Sequence, residues 1–206
     1  AIPEINEGNN IANRTLLVPL WDSVVGNISG DLIISDVNDT FRVYDWKTSN
    51  QTTGNVFAAD IDSDITWTNL SALSRNRTGN YSPDDFAQLD VAINTTGYND
   101  SINRTFTIES QPIGNTSITV FANSIANISM VNSTNVTSFR TGILWDMNDS
   151  LWGEYNGSED VVFVSQINRS EEGKYGTYDF ELKVPATLRK LKGPDLVTIV
   201  FYLELK

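Results

Sequence analysis

Apolar and polar residues alternate with a period of two from one end of the chain to the other, and the three-to-four spacing of a helix almost never appears. The plainest case is the stretch 177–184. Tyr178, Phe180, Leu182 and Val184 share one face there, and Thr177, Asp179, Glu181 and Lys183 share the other, the pattern of a half-buried strand. The same rule predicts strands at residues 15–21, 31–35, 41–47, 55–59, 64–70, 89–94, 104–110, 117–123, 127–131, 136–145 and 161–166. The final segment, 196–205, is the longest and most apolar: Val197, Ile199, Phe201, Leu203 and Leu205 line one face, while Leu196, Val200 and Tyr202 stand on the other. Such a strand is expected in the middle of a sheet, covered on both sides. One helix signal interrupts the pattern, Ser82-Pro83-Asp84-Asp85, with a capping serine, proline at the first helical position and acids in the first turn; it predicts one or two turns. A dozen or so short strands separated by turns predict an all-β fold, a sandwich or barrel rather than a parallel α/β sheet.

Asparagine changes this picture. Of 22 asparagines, 17 stand in Asn-x-Ser/Thr with x not proline, the acceptor pattern for N-linked glycan: Asn13, Asn27, Asn38, Asn50, Asn69, Asn76, Asn80, Asn94, Asn99, Asn103, Asn115, Asn127, Asn132, Asn135, Asn148, Asn156 and Asn168. Serine and threonine make up roughly a fifth of the chain, so chance would give only about 4. The excess predicts an exported, extracellular chain carrying covalent sugar over most of its surface. Acceptors also assign strand faces, because a glycan cannot be buried. Asn94 falls in phase with Asp90, opposite Leu89, Val91 and Ile93; Asn103 falls in phase with Thr105, Thr107 and Glu109, opposite Phe106 and Ile108; Asn127 falls in phase with Ser129, opposite Ile128 and Met130. The ends differ from the middle, since the last 38 residues hold no acceptor and the first 26 hold only Asn13. Both termini are expected to be buried or contacted by another chain.

Composition narrows the chemistry. A chain of 206 residues fits one large all-β domain or two small ones, and the lack of a Pro- or Gly-rich linker favours one. With no cysteine there is neither disulfide nor thiolate chemistry, and with no histidine the commonest general base and zinc ligand are missing. A net charge of -12 with scattered Lys and Arg argues against nucleic acid or anionic lipid as partner. No apolar run is long enough to cross a bilayer, and no basic-then-apolar start is present, so the sequence reads as a mature chain beginning at Ala1 with no membrane insertion. No cofactor, metal or catalytic residue is expected.

Several local patterns carry two readings. Glu171-Glu172-Gly173-Lys174-Tyr175, with Thr177 where antibody domains have cysteine, fits either the tyrosine corner of immunoglobulin-type sandwiches or an ordinary hairpin turn beside an aromatic residue. Asp60-x-Asp62-x-Asp64 has calcium-loop spacing but carries Ile65 where glycine is expected and Ser71 at the closing position, which favours a solvated acidic stretch. Acid pairs such as Asp84-Asp85 and Glu171-Glu172 could in principle serve a glycosidase, but acids are too frequent for a pair to be informative. Trp21, Trp46, Trp67 and Trp145 are expected in the core, with Trp152 the candidate for an exposed sugar platform, and Lys183 is a conceivable isopeptide donor. The first dozen residues read as extended chain, because Pro3 disfavours helix at itself and at Ile2; Ile2, Ile5 and Ile11 then either fill a groove elsewhere or fold along their own domain.

A short N-terminal arm, a cysteine-free and histidine-free all-β body and dense Asn-x-Ser/Thr sites together resemble the subunits of the archaeal surface filaments known as threads. Those share an assembly principle with archaeal bundling pili and bacterial chaperone-usher pilins. The resemblance covers the whole chain in composition and layout. It implies an immunoglobulin-like β-sandwich lacking one strand, completed head to tail by the extended N-terminal donor strand of the next copy. Residues 1–14 would be the donor arm and 15–206 a single pilin domain, with Ile2, Ile5, Ile11 and Leu17 as donor residues and Val197, Ile199, Phe201 and Leu203 lining the acceptor groove. It further implies a homopolymer at the cell surface, structural rather than enzymatic, with a role in adhesion or biofilm. The alternatives are a monomeric surface adhesin or S-layer-associated module that binds glycan through aromatics, and a secreted glycoside hydrolase using two carboxylates.

Overall fold

The computed structural model describes residues 21–28, 32–36, 42–46, 53–60, 65–75, 82, 84–114, 116–147, 155, 157, 159–185 and 199–206. The donor arm, Leu17, Val197, Trp152 and most of the Asp60-Asp64 stretch lie outside them. The described residues form antiparallel β-structure with few helices. In chain order the strands are β1 (Trp21–Asn27), β2 (Leu32–Asp36), β3 (Arg42–Trp46), β4 (Gly54–Asp60), β5 (Leu70–Ala72), β6 (Thr107–Ile108), β7 (Gln111–Pro112), β8 (Thr116–Val120), β9 (Asn123–Ile128), β10 (Met130–Asn132), β11 (Arg140–Asp146), β12 (Val161–Gln166), β13 (Glu171–Glu172), β14 (Thr177–Tyr178), β15 (Phe180–Pro185) and β16 (Ile199–Leu205). Helices α1 (Asp85–Ala92) and α2 (Ile102–Phe106) lie between β5 and β6.

Two large sheets carry the fold: a four-stranded one in the order β15-β1-β2-β3 and a six-stranded one in the order β10-β11-β12-β4-β16, with β5 also paired to β11. The period of two decides where each side chain goes. Val56 and Ala58 of β4, Ile143 and Trp145 of β11, and Val161 and Phe163 of β12 join Val24, Phe180, Leu182 and Val184 of the four-stranded sheet in one core, closed by Phe86, Leu89, Ile93, Ile102 and Phe106 of the helical segment. The intervening residues Phe57, Ala59, Leu144, Val162 and Val164 face the opposite way, onto Ile118, Val120, Ile125 and Ile128 of the β8–β9 hairpin. The six-stranded sheet is thus covered on both faces, which accounts for the unbroken apolar run Val161-Val162-Phe163-Val164.

Four sequence expectations fail here. Residues 89–94 are not a strand: α1 runs through them, with Phe86, Leu89 and Ile93 buried at helical spacing and Val91 69% exposed. Residues 104–110 are mostly not a strand either, because α2 covers 102–106, Phe106 is buried and Ile108 is 65% exposed after it. The Asp90 carboxylate explains both. It accepts from Thr95 Oγ1 at 2.6 Å, from the Ile102 backbone N–H at 2.7 Å and from that of Asn103 at 3.0 Å, tying the end of α1 to the start of α2. The expected short helix is present at about two turns, but it starts at Asp85 with Asp84 as N-cap instead of Ser82. Third, β16 pairs with β4 alone among the described residues and ends its sheet instead of lying centrally. Fourth, expected strand 64–70 holds a 3-10 turn at Trp67–Asn69 leading into β5; β1 spans Trp21–Asn27, and residues 15–20 of the expected first strand lie outside the described residues.

Half of the polar face of 177–184 is buried: Asp179 and Glu181 are enclosed, Lys183 is half-buried and Thr177 is exposed. Asp179 Oδ2 accepts from the Ile28 N–H and Oδ1 from the Ser170 N–H, both at 2.8 Å, stapling the end of β1 to the turn before β13. Glu181 is fully buried against the hairpin 171–178, where a Cβ at Gly173 would stand 2.0 Å from its Oε1. That hairpin is the ordinary-turn reading: Tyr175 is exposed, with Lys174 Nζ 4.9 Å from its ring centroid, and does not sit in a corner.

Candidate functional site

Two surfaces bear on function. The first is the outer edge of β16. Its backbone phase follows from one bond: the Lys206 N–H donates to Thr53 O at 2.8 Å, so in this antiparallel ladder the even-numbered residues of β16 bond to β4. The N–H and C=O groups of Ile199, Leu203 and Leu205 therefore turn to the outer edge, where no strand pairs with β16 among the described residues. The side chains of Ile199, Phe201, Leu203 and Leu205 rest half-buried against the main core, and Tyr202 rests against the second one. Three of the four expected acceptor residues thus share one face of an edge strand.

Beside that edge lies an aromatic cleft. Trp67 holds Phe57, Phe121 and Tyr202 edge-on at ring-centroid distances of 5.0, 6.0 and 4.9 Å. These rings, with Phe201, Leu203 and Glu204 of β16, border a cavity of about 340 Å³. Phe121 is 55% exposed and has φ 51°, a left-handed backbone that costs a bulky residue about 1–2 kcal/mol. Glu204 holds it there. Its Oε1 accepts from the Phe121 N–H at 2.6 Å and from Lys206 Nζ at 2.9 Å, and its Oε2 accepts from Asn55 Nδ2 at 2.7 Å. Lys206 Nζ and Asn55 Nδ2 each also donate to Thr119 O at 2.8 Å. The β8–β9 hairpin is strapped to β4 and β16 by one buried carboxylate. Glu204 stands in no motif, and its one signal in the sequence is that of a lone acid in an otherwise apolar strand.

The second surface carries the acceptor asparagines. Asn94, Asn99, Asn127, Asn135 and Asn168 are exposed, and Asn27, Asn69, Asn103 and Asn132 are half-exposed. Asn13, Asn38, Asn50, Asn76, Asn80, Asn115, Asn148 and Asn156 lie outside the described residues. The face assignments hold in part only. Asn94 sits in the turn after α1 and Asn127 near the end of β9, with φ of 56° and 60°, a conformation asparagine tolerates. Asn103 is helical. Asn55, which is not in an acceptor pattern, is buried.

The remaining candidates are scattered. Lys183 Nζ stands 5.3 Å from the Trp21 ring centroid; burial first lowers its pKa and the Asp100 charge partly restores it. Burial, then the charges of Glu159, Asp85 and Asp160, push the Tyr155 phenol up. Trp145 is buried, Trp21 is half-buried beside Phe106 and Phe163, and the Trp46 side chain lies outside the described residues. Among the described residues no group of three or more acids could hold a metal ion. No protein-family model, no curated protein and no solved structure matches this chain.

Proposed function

We propose that the chain is a structural subunit of a heavily N-glycosylated extracellular filament, polymerising head to tail by donor-strand complementation, with a role in adhesion or biofilm. One observation carries this reading: β16 has the composition of a central strand, apolar on both faces, and among the described residues it stands at the end of its sheet. An apolar edge with unpaired ladder groups is unfavourable in water, and an added strand satisfies both at once. In this reading the four- and six-stranded sheets are the leaves of an immunoglobulin-like sandwich, and the arm 1–14 of a neighbouring copy lies along β16 with Ile2, Ile5 and Ile11 against its apolar face. Donor and acceptor surfaces differ, so the contact does not close and a filament results instead of a ring.

Glycan placement supports the same partition. All nine described acceptor asparagines reach the surface, whereas the final 38 residues, which include β16, carry none. A sugar-free edge is what a neighbour needs. Negative-stain microscopy of the purified glycoprotein tests the proposal: filaments are expected, and a truncation lacking residues 1–14 should give folded single particles that bind an added 1–14 peptide. Uniform monomers from the full chain would refute it. The aromatic cleft at Trp67, Phe121 and Tyr202 favours one other reading, a monomeric surface adhesin or S-layer-associated module stacking sugar rings there. Quenching or enhancement of tryptophan fluorescence by polysaccharide, in a chain that stays monomeric, would mark that case.

A further inference from the structure

Six of the nine described acceptor sites divide by what the fold does to the hydroxyl two residues after each asparagine. The acceptor pattern requires that hydroxyl, so the transferase must reach it together with the asparagine amide. In Asn127-Ile128-Ser129 the asparagine is exposed, but Ser129 is 1% exposed and donates to Phe106 O at 2.8 Å. In Asn99-Asp100-Ser101 the serine is buried and caps α2, its oxygen accepting from the Arg104 N–H. In Asn132-Ser133-Thr134 the threonine donates to Glu181 Oε2 at 3.0 Å, while the buried Ser133 between them donates to Glu181 O at 2.8 Å. The other class is open: Thr96, Thr137 and Ser170, which complete the acceptors of Asn94, Asn135 and Asn168, are all exposed.

We propose that glycan transfer to Asn99, Asn127 and Asn132 precedes folding of this domain, whereas Asn94, Asn135 and Asn168 remain substrates afterwards. This rests on the glycoprotein reading above. In the transfer, a bond forms from the asparagine Nδ2 to C1 of a lipid-phosphate-linked sugar, the C1–O bond to phosphate breaks, the amide loses one proton and the lipid phosphate leaves. In the folded chain the first three sites present Nδ2 with the companion hydroxyl turned inward. Freeing Ser129 means detaching it from Phe106, which is buried in the main core. Freeing Thr134 detaches the loop that closes over Glu181. Asn99 and Asn127 are exposed, as Asn94, Asn135 and Asn168 are, so exposure of the asparagine itself does not explain the division.

Two measurements test this. In the first, the full chain made without glycosylation and shown folded by near-ultraviolet dichroism is given an N-oligosaccharyltransferase and its lipid-linked sugar donor, beside synthetic peptides spanning each site. Mass spectrometry then reads occupancy site by site. Peptides of both classes should be modified, and the folded chain should take sugar at Asn94, Asn135 and Asn168 at least tenfold faster than at Asn99, Asn127 and Asn132. Equal rates in the folded chain overturn the inference and leave the glycoprotein reading standing; failure of every peptide overturns both. The second uses exporting cells. After a labelling pulse, Asn127 and Asn132 should gain no sugar once the chain has become protease-resistant, whereas Asn135 and Asn168 continue to gain it. Late gain at Asn127 would overturn the inference without any need to refold the chain.

Discussion

Among the described residues β15 and β16 each end a large sheet, and the two edges are finished in opposite ways. Along β15 the outward groups are taken up by a chain of hydroxyls: the Lys183 N–H donates to Thr141 Oγ1 at 2.8 Å, Thr141 bonds Ser133 Oγ at 2.9 Å, and Ser133 donates to Glu181 O at 2.8 Å. Since Ser133 gives its proton to a carbonyl, Thr141 must give its own to Ser133, so the direction of the whole chain is fixed. That edge is closed from within the molecule, and it packs on β11 and β12. Along β16 nothing comparable exists among the described residues, although its side chains are the more apolar of the two. An edge closed by buried hydroxyls cannot recruit a strand; an apolar edge without them can. On the function proposed here, that contrast separates the wall of the domain from its socket.

The widest effect is expected at the socket. Leu203→Pro removes an outward N–H of β16 and leaves the even-numbered residues free to bond β4, so proline is tolerated there as on any strand edge. Filament yield by microscopy and sedimentation should fall at least a hundredfold, while far-ultraviolet dichroism stays that of the parent. Tyr202→Pro, in the phase that bonds β4, should instead damage folding. If Leu203→Pro still assembles, the neighbour does not pair with this edge.

Next in size is the strap. Glu204→Ala leaves the Phe121 N–H and the buried Asn55 amide without their carboxylate and should cost about 3 kcal/mol in urea unfolding, with Glu204→Gln recovering part. Thr141→Val follows on the closed edge. It keeps the shape and strands the Lys183 N–H, at about 1–3 kcal/mol, with assembly unchanged because β15 is not the contact. A loss of filaments from Thr141→Val without unfolding would reverse the roles of the two edges.

The alternation of side chains carried most of the sheet structure: β2, β3, β4, β8, β12 and β16 stand within a few residues of where the period of two puts them. It failed where a polar residue was buried. Asp90 looked like the solvent face of a strand because acids usually face water, yet it is the acceptor that fixes two helices. Asp179 and Glu181 misled in the same way: Asp179 lies between β14 and β15 and Glu181 in β15, and both are buried where the alternation put them outside. A period locates side chains relative to one another but does not say how many layers lie outside them, and the hydroxyls and backbone groups that satisfy these carboxylates come from residues far along the chain. For β16 the ambiguity ran the other way. Its apolarity was legible, and its position was not, because a sequence records how much surface is buried without recording whether the same molecule buries it. Of the candidate site, the three described acceptor residues could be found by alternation; Glu204 and the Trp67 cleft depend on the β8–β9 hairpin folding back, which no local pattern announces.

The smallest effect sharpens the closed edge. Burial raises the Glu181 carboxyl above its ordinary value of 4.5, against the opposing pull of the Thr134 hydroxyl, the Lys174 and Tyr175 backbone N–H groups and the Lys174 charge. A raised pKa means that the folded chain keeps this proton at pH values where the unfolded chain has released it. The folded state then binds more protons across the window from the ordinary glutamate range up to the raised value, so stability falls as pH climbs through that window and levels off above it. Glu181→Gln cannot titrate and should lack that slope. Urea midpoints taken between pH 4 and pH 8 should therefore show the parent losing ground to the variant as pH rises, a gap that opens within the window and then stays constant. A gap that narrows instead would mean that Thr134 and the two backbone donors outweigh burial, with Glu181 gripped as an anion beneath the closed edge.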